Sequence, residues 1–327
     1  MTPAATIAIL TYNGETYLRQ ILSALVAQDF DGGVEILVVD SGSTDSTLQI
    51  VAEYPQVTLH TIPNSEFGHG KTRNLAARLA KGEYLAFLTH DAIPAGPSWL
   101  AELVDPLRRF PDVVAVLGKQ EPRPDCVPIM KYEIRRAFAA QGPDFATAVS
   151  YRTPAFDADP VHFERAAIYS DVNSATRRAF LVDVLPYRDV AYAEDQLFGQ
   201  DVIRSGRAKA YASRAVVIHS NDLDYSEYRK RLFDETVGMR RAGAEMPPAQ
   251  AGFRALVRAL VLDPIDILRD RDYSPGRKLL WLAVNPFYHL AKYRVTRRAR
   301  RFDLDDHEAF ARESLEARRK RLGSGDS

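Results

Sequence analysis

The first 120 residues alternate short apolar runs with segments of helical spacing, and this alternation limits the available folds more than any other feature. Five runs rich in β-branched and aliphatic residues lie at 6–10, 35–40, 57–62, 83–88 and 113–118. Runs this short and continuous favour strands buried on both faces, although periodicity alone does not distinguish them from buried helix. Segments with apolar residues every three or four positions lie at 16–28, 46–54 and 71–80. Strand–helix alternation with short connections predicts an α/β, doubly wound sheet flanked by helices.

Beyond residue 120 the character of the chain changes twice. Residues 121–190 are proline-rich and less regular, with no linker before them. A helical segment at 194–206 and an apolar run at 215–220 then repeat the α/β pattern, and after Pro247 the chain is helical in spacing and basic. We therefore predict a large domain with two halves and a basic helical extension. Their bounds are 1–245 for the domain, about 1–120 and 121–245 for its halves, and 246–327 for the extension.

Charge is balanced over the whole sequence but not along it. The 327 residues include 43 Lys and Arg and 43 Asp and Glu, which argues against a uniformly basic nucleic-acid-binding protein. Residues 251–327 hold 17 cations against 11 acids, and residues 1–250 hold the compensating acidic excess. A single cysteine, Cys126, excludes an intramolecular disulfide framework. The N-terminal stretch lacks signal-peptide features and no apolar run is long enough to span a membrane, so we expect a cytoplasmic location.

Polar side chains follow the first two predicted strands. Thr11, Tyr12 and Glu15 come after the first strand, and Asp40 and Ser41 come at the end of the second. In open α/β sheets, ligands bind beyond the carboxyl ends of the strands. The residues after Asp40 also fit a turn and a capped helix start. That interpretation leaves Asp40 unexplained, because a carboxylate ending a buried strand needs a hydrogen-bonding partner, which a base or ribose could supply.

The stretch GHGKT at 68–72 is not a P-loop. Ser65 stands where a P-loop requires glycine. Lys71 and Arg73 lie near the start of a predicted helix, where cations oppose the helix dipole and a bound anion would compensate. A solvated basic turn explains the same residues equally well, and both interpretations stay open.

Four further residues offer chemistry to a ligand. Asp91 follows the fourth predicted strand and could hold Mg²⁺ or Mn²⁺ beside a diphosphate. His219 follows another apolar run and offers an imidazole to the same ion. Glu194 and Asp195 open a helix, where acids stabilise the N-terminus and where a carboxylate could also be a general base.

Taken together, six segments resemble the family 2 glycosyltransferases, in the order and spacing of that family. They are TYNGE (11–15), DSGSTDST (40–47), GHGKTRN (68–74), FLTHDAIP (87–94), AEDQLFGQDVIRSG (193–206) and VIHS (217–220). The resemblance covers roughly residues 5–240 and implies an inverting enzyme of GT-A fold that uses a nucleotide sugar, with a Rossmann-like, mostly parallel sheet. The pattern of Thr89, Asp91, Ala92 and Pro94, with SDVNSATRRAFL at 170–181, is similar to the rhamnosyltransferase branch.

The resemblance implies a role for each matching residue. The nucleotide sugar would contact Thr11, Tyr12, Glu15, Asp40, Ser41, Arg73 and Thr89. Within this set, Asp40 would accept from the base, and Arg73 would contact the base or the diphosphate. A divalent cation, Mg²⁺ or Mn²⁺, would bind Asp91 and His219. Asp195 would be the general base, with Glu194 beside it. Thr89 stands where many relatives carry the first acid of an Asp-x-Asp motif, so a modest metal affinity is expected.

The function implied is transfer of L-rhamnose from dTDP-L-rhamnose to a cell-surface glycan or a polyprenyl-linked glycan, as in cell-wall polysaccharide synthesis. One alternative is an enzyme that uses another UDP- or GDP-sugar. A second is a non-catalytic nucleotide-sugar-binding scaffold, although a scaffold has no need of Asp40, Asp91, Asp195 and His219 together.

Residues 274–301 combine eight cations, no acid, and interleaved aromatic and aliphatic residues. This composition suits the surface of an anionic membrane, where a polyprenyl-linked acceptor would lie, so we expect peripheral association with the inner face of the cell membrane. Packing on the protein's own body or in a homodimer is the alternative, and nucleic acid is a distant third.

Overall fold

A computed structural model describes residues 2–154, 160–243, 252–315 and 317–318. The chain folds into two compact units. The first contains residues up to 123, 134–190 and 194–220, and the second contains 124–133, 191–193 and the residues from 221 onward. Residues 221–243 thus belong to the same unit as the C-terminal helices, whereas the predicted division at residue 245 stays a prediction.

A nine-stranded sheet forms the centre of the first unit, counted over the described ranges. Its strands are β1 (Ala5–Thr11), β2 (Val34–Asp40), β3 (Val57–Thr61), β4 (Tyr84–Thr89), β5 (Ile93–Pro94), β6 (Val113–Glu121), β7 (Thr147–Ser150), β8 (Asn173–Arg177) and β9 (Ala208–Ile218). The order is β3-β2-β1-β4-β8-β6-β9-β5, and β7 pairs with β9. All five apolar runs of the first 120 residues form strands, which confirms the predicted α/β class.

The sheet is mixed. Strands β1 to β4 pair in parallel, as the strand–helix alternation predicts. Strand β8 then lies antiparallel between β4 and β6, and β9 runs parallel to β6 but antiparallel to β5 and β7. The predicted parallel character therefore holds for the pairs among β1 to β4 and for the β6–β9 pair.

Helices cover both faces of this sheet because successive strand residues point to opposite sides. On β1, Ile7 and Ile9 enter one apolar layer and Ala8 enters the other. The helices of the first unit are α1 (Glu15–Val26), α2 (Thr47–Ala52), α3 (His69–Leu79), α4 (Trp99–Arg109), α6 (Pro160–Ala167) and α7 (Glu194–Arg204), while α5 (Pro128–Ala139) contributes residues to both units. Among the described residues, Trp99 is the largest fully buried side chain, and its indole nitrogen donates to Asn173 Oδ1 at 3.0 Å.

The described part of the second unit is mainly helical, in agreement with the predicted C-terminal extension. Its helices are α8 (Tyr225–Arg241), α9 (Phe253–Arg269), α10 (Pro275–Ala299) and α11 (His307–Glu313). A buried ion pair stabilises it: Lys131 Nζ lies 2.9 Å from Asp270 and 2.8 Å from Asp272, in the turn between α9 and α10. Within the described ranges, no helix combines the length and hydropathy needed to cross a bilayer.

Candidate active site

The strand register brings the predicted nucleotide-side residues to one edge of the sheet. Thr11 lies opposite Asp40 in the β1–β2 pair, and Leu10 lies opposite Thr89 in the β1–β4 pair. The final residues of three neighbouring parallel strands therefore face the same end of the sheet, where α/β sheets bind ligands.

Asp40 is fully buried and finds its partners in its own turn and at the end of the neighbouring strand β1. Its carboxylate accepts from Thr11 Oγ1 at 2.9 Å, from the Gly42 amide at 3.0 Å, and from the Ser43 amide and hydroxyl. Gly42 has φ +82°, a conformation that glycine adopts without steric cost. Local hydrogen bonds thus account for the buried carboxylate, and the contact with a base expected from the resemblance stays a prediction.

The loops after β1 and β2 are tied to each other. Asn13 Oδ1 accepts from the Thr44 amide at 2.8 Å, and Glu15 Oε2 accepts from the Ser46 amide at 3.0 Å. In return, Asp45 Oδ2 accepts from the Glu15 amide at 3.1 Å. Ser41, also from the predicted set, donates its hydroxyl to the Thr11 carbonyl at 3.0 Å. These exchanges give the predicted nucleoside pocket a rigid frame.

Asp91 and His219 meet although 128 positions separate them in the sequence. Asp91 Oδ2 lies 3.4 Å from His219 Nε2, because β5 and β9 pair directly beside them. Burial alone would raise the pKa of Asp91, but the hydrogen bond and charge of His219 hold it well below its usual range. The other ring nitrogen, Nδ1, lies 3.1 Å from Gln120 Oε1. Gln120 thus holds Nδ1, and Nε2 is the ring nitrogen that faces Asp91.

This pair fits two ligands of a divalent cation. One carboxylate oxygen and one imidazole nitrogen point at the same place, and the glutamine behind the imidazole is the kind of outer partner that orients a metal-binding histidine. Among the described residues no group of three or more His, Cys, Asp or Glu side chains could hold a metal ion. The remaining ligands would therefore come from water and substrate phosphates, as is usual for Mg²⁺.

Arg123 supports the backbone on both sides of this pair. Its guanidinium donates to the carbonyl of Ser220 and, at 2.6 Å, to the carbonyl of Asp91. It also stacks on the ring of Tyr17, 3.9 Å from the ring centroid. One buried side chain thus fixes the backbone next to both predicted metal ligands.

An acidic cluster surrounds Arg73 at the start of α7. Arg73 is 7% exposed, and its Nε lies 2.9 Å from Asp171 Oδ2. Its Nη1 pairs with Glu194 Oε1 at 2.5 Å. The structure groups Arg73 with these acids and not with the ends of β1 and β2. The Arg73 side chain therefore lies neither in a solvated turn nor in an exposed anion site. The contact of Arg73 with the nucleotide, expected from the resemblance, stays a prediction.

Asp171 is held from several directions. Its Oδ1 accepts from Ser174 Oγ at 2.6 Å and from Tyr187 Oη at 2.8 Å. Burial raises the pKa of Asp171, and the charge of Arg73 opposes that rise. The α3 segment approaches closely at Gly70, where a Cβ atom would collide with the Arg188 carbonyl oxygen. Gly70 therefore allows α3 to pack closely on the backbone at 187–188.

Asp195, the predicted general base, lies beside this cluster and is partly buried. Its Oδ2 accepts from the Asp171 amide at 3.3 Å, and its Oδ1 accepts from the Gln196 amide at 2.7 Å. Burial, followed by the charges of Glu194 and Asp171, raises the pKa of Asp195 to about 8. A carboxylate with a raised pKa is a stronger base than a free one, which suits proton abstraction.

Sequence reasoning missed three residues of the site: Gln120, Arg123 and Asp171. Asp171 belongs to the 170–181 segment quoted for the resemblance, so that segment held the available signal. Gln120 and Arg123 follow the fifth apolar run, where the prolines at 122 and 124 directed attention to an irregular connection.

The family follows from a match to the whole nucleotide-side half. The family model described as Glycosyl transferase family 2 matches residues 6–185. The chain belongs to this family. This glycosyltransferase is 29% identical over 242 residues to the O-antigen chain rhamnosyltransferase RfbN of Salmonella typhimurium, covering 71% of each chain. It is 27% identical to the O-antigen chain rhamnosyltransferase WbaN of Salmonella anatum, covering 72% of each. These similarities confirm the rhamnosyltransferase-like branch.

Solved structures confirm the GT-A fold of this glycosyltransferase. The mannosyltransferase PcManGT of Pyrobaculum calidifontis, solved with GDP-Man and Mn²⁺, has a TM-score of 0.55 at 21% identity, covering 100% of this chain and 89% of that one. Residues 1–349 of TarS from Staphylococcus aureus, solved with UDP-GlcNAc, give a TM-score of 0.52 at 21% identity, covering 94% and 79%.

Proposed function

We propose that the protein transfers L-rhamnose from dTDP-L-rhamnose, with inversion, to a hydroxyl of a cell-surface or polyprenyl-linked glycan. The observation that supports this most is a continuous hydrogen-bonded connection between two functional groups. Gln120 contacts His219 on one side and donates to Ser170 Oγ at 3.3 Å on the other. The next residue, Asp171, donates its amide to Asp195. The proposed metal ligands Asp91 and His219 and the basic carboxylate of Asp195 are thus held by neighbouring residues. A displacement reaction at an anomeric carbon needs both, one for the leaving diphosphate and one for the acceptor proton. The choice of rhamnose rests on the two O-antigen relatives.

We assign the nucleoside to the edge formed by the ends of β1, β2 and β4. The residues assigned to it are Thr11, Tyr12, Glu15, Asp40, Ser41 and Thr89. Their support is the shared strand edge and the loop frame described above. We assign Arg73 to a different task, which is to neutralise Asp171 and Glu194 so that the start of α7 keeps its position.

We propose that Asp91 and His219 hold a divalent cation, Mg²⁺ or Mn²⁺, when the donor is bound. Such a cation neutralises the charge that develops on a departing diphosphate. Gln120 keeps the imidazole in the tautomer that can bind, and Arg123 fixes the backbone of Asp91. PcManGT, which shares the fold, was solved with Mn²⁺.

Asp195 is the proposed general base. As the acceptor oxygen forms its bond to the anomeric carbon, the bond from that carbon to the diphosphate breaks and the nucleoside diphosphate leaves with the electron pair. The proton of the acceptor hydroxyl passes to the Asp195 carboxylate. Attack opposite the leaving group inverts the anomeric centre without a covalent intermediate. Glu194, which is 5% exposed and paired with Arg73, orients the start of the helix that bears the base.

The acceptor class sets the proposed location. A polyprenyl-linked glycan lies at the membrane surface, so we propose that the enzyme works peripherally at the inner face of the cell membrane. A homodimer is the alternative use of the C-terminal helices.

A donor panel tests the proposal. We expect dTDP-L-rhamnose with Mn²⁺ to raise the melting temperature most, by several degrees at about 100 times its dissociation constant. The matched controls are dTDP-glucose, UDP-GlcNAc and GDP-mannose at the same concentration. A larger shift with another sugar would reassign the donor. No shift with any nucleotide sugar, with or without metal, would refute donor binding.

A further inference from the structure

Helix α9 exposes a row of large apolar side chains. Five of them repeat at helical spacing along one side: Phe253 (67% exposed), Val257 (45%), Leu260 (38%), Val261 (58%) and Leu268 (59%). At 100° per residue these five fall within about 100° of arc, so they form one continuous stripe. The described part of the chain does not bury this stripe.

The side of α9 next to the stripe is already anchored. Asp263 is fully buried and its carboxylate contacts His289 Nε2 at 2.7 Å and Asn285 Nδ2 at 3.2 Å, both on α10. Ile267, also on α9, is fully buried with Tyr132 and Tyr273. The core-facing residues of α9 therefore already have partners within the second unit. The exposed stripe is a separate apolar face of the same helix.

Cations border the stripe on one side. Arg254, Arg258 and Arg269 are exposed, and the helical period places them within about 60° of arc next to the apolar residues. This arrangement, with an apolar stripe beside a row of arginines, is typical of helices that lie in the interface of a membrane.

Helix α10 extends the same kind of surface. Leu279, Leu280 and Phe287 are 71%, 55% and 61% exposed. Lys278 Nζ donates to the Leu268 carbonyl at 2.8 Å, which brings the start of α10 to the end of α9. We call the exposed apolar residues of the two helices, with their bordering arginines, the α9–α10 face.

The acids of this span do not offset its positive charge. Between 253 and 280 there are six cations and four acids. Asp263 and Asp270 are buried, Asp272 pairs with Lys131, and Asp266 is half-buried on the side of α9 away from the stripe. By contrast, the basic end of α10 is engaged within the second unit: Arg298 pairs with Glu313, and Arg240 donates to the Ala299 carbonyl. The α9–α10 face therefore presents apolar groups beside cations. The C-terminal end of α10, by contrast, makes contacts within the second unit.

We propose that the α9–α10 face docks on an anionic lipid bilayer, with α9 lying in the plane of the interface. Charge complementarity selects this occupant, since a two-fold dimer through the same face would bring identical rows of arginine together. At 1.5 Å per residue α9 offers a strip about 25 Å long. The inference deepens the proposed function, because a polyprenyl-linked acceptor would lie at that surface. It adds α9 to the contact and limits the contribution of the segment at 274–301 to the first part of α10.

Vesicle co-sedimentation of the full chain, without donor or acceptor, tests the proposal. We expect binding to phosphatidylcholine vesicles containing about 30% phosphatidylglycerol, weak binding to phosphatidylcholine alone, and a marked loss on raising NaCl from about 50 to 300 mM. The double variant Val257→Glu and Val261→Glu should reduce partitioning at least about tenfold. A matched control, Leu59→Glu and Val184→Glu, changes exposed apolar residues of the first unit and should leave partitioning unchanged.

A second pair of variants separates charge from apolar contact. Arg254→Gln with Arg258→Gln should lower partitioning about thirtyfold at low salt, because each cation near the surface contributes about 1 kcal/mol. Arg204→Gln with Arg207→Gln, exposed residues of the first unit, is the control. All variants should keep the wild-type melting temperature and its shift with nucleotide sugar, so a failure here is distinct from a failure of the proposed function. Equal partitioning of wild type and the Val257/Val261 variant would overturn the proposal. The proposal would also be overturned if the wild type formed a dimer that did not bind vesicles and the Val257/Val261 variant were a monomer.

Discussion

Replacing Arg73 by methionine should destabilise the first unit by about 3–5 kcal/mol at neutral pH. Arg73 is 7% exposed and pairs with two buried carboxylates, Asp171 at 2.9 Å and Glu194 at 2.5 Å. Removing one partner of a buried ion pair leaves an uncompensated buried charge, which typically costs this much. Methionine retains most of the apolar stem, so the change isolates the charge.

The two tryptophans allow this loss to be assigned to one unit. Trp99 is 1% exposed in the core of the first unit, and Trp281 belongs to the second. In a Trp281→Phe background, urea unfolding followed by fluorescence reports on the first unit alone. The triple variant Arg73→Met, Asp171→Asn and Glu194→Gln is the matched control, and it should recover most of the lost stability because no buried charge is left unpaired.

The pH dependence has a definite sign. Burial raises the pKa of Asp171, so the folded protein binds more protons than the unfolded chain, and stability falls as pH rises from the unfolded pKa toward the folded one. Loss of Arg73 raises that pKa further, so the stability gap between wild type and Arg73→Met should widen between about pH 4 and pH 7. A difference in the free energy of unfolding below about 1 kcal/mol between wild type and Arg73→Met, together with a tenfold loss of donor affinity, would refute the packing role. That result would favour a direct contact of Arg73 with the nucleotide.

Three further changes test other parts of the site. Gln120→Ala should weaken Mn²⁺ binding about 10–100-fold by electron paramagnetic resonance, and unchanged affinity would remove its positioning role. Gly70→Ala should lower the free energy of unfolding by about 1–3 kcal/mol in urea titrations because its Cβ would collide with the Arg188 carbonyl oxygen, whereas Gly276→Ala, with open space around it, should not. For wild type, kcat/KM should rise with pH toward a plateau above the pKa of Asp195 at about 8, and a flat profile from about pH 6 to 9 would argue against this base.

The nucleotide-side half could be predicted from the sequence because its signals are local. Strands β1, β2 and β4 are continuous apolar runs, and their polar ends follow directly in the chain. The antiparallel strand β8 could not be predicted in this way, since its sequence, NSATR, is mainly polar although four of its residues are buried. Long-range partners satisfy it: Thr176 donates to the Val114 carbonyl, and Asn173 donates to the Lys119 and Ala215 carbonyls.

Arg73 and Asp40 illustrate the two directions in which local reasoning fails. Arg73 is predicted to face solvent or an anion, but its partners lie 98 and 121 positions later in the chain. Asp40 is expected to need a ligand, but its own turn supplies its hydrogen bonds. In both cases the residue type indicated an unpaired charge, but the partners of Arg73 are distant in the chain and those of Asp40 include its immediate neighbours. The meeting of Asp91 and His219 was expected from the family resemblance, and the pairing of β5 with β9 explains it physically.

The most direct test of the central claim is calorimetric titration of dTDP-L-rhamnose, with Mn²⁺, into wild type, Asp91→Ala and Asp195→Asn. We expect Asp91→Ala to bind the donor at least about tenfold more weakly, because a ligand of the cation is lost. Asp195→Asn should bind the donor like wild type and yet transfer no sugar. A donor affinity of Asp91→Ala equal to that of wild type in the presence of Mn²⁺, or wild-type turnover in Asp195→Asn, would contradict the account.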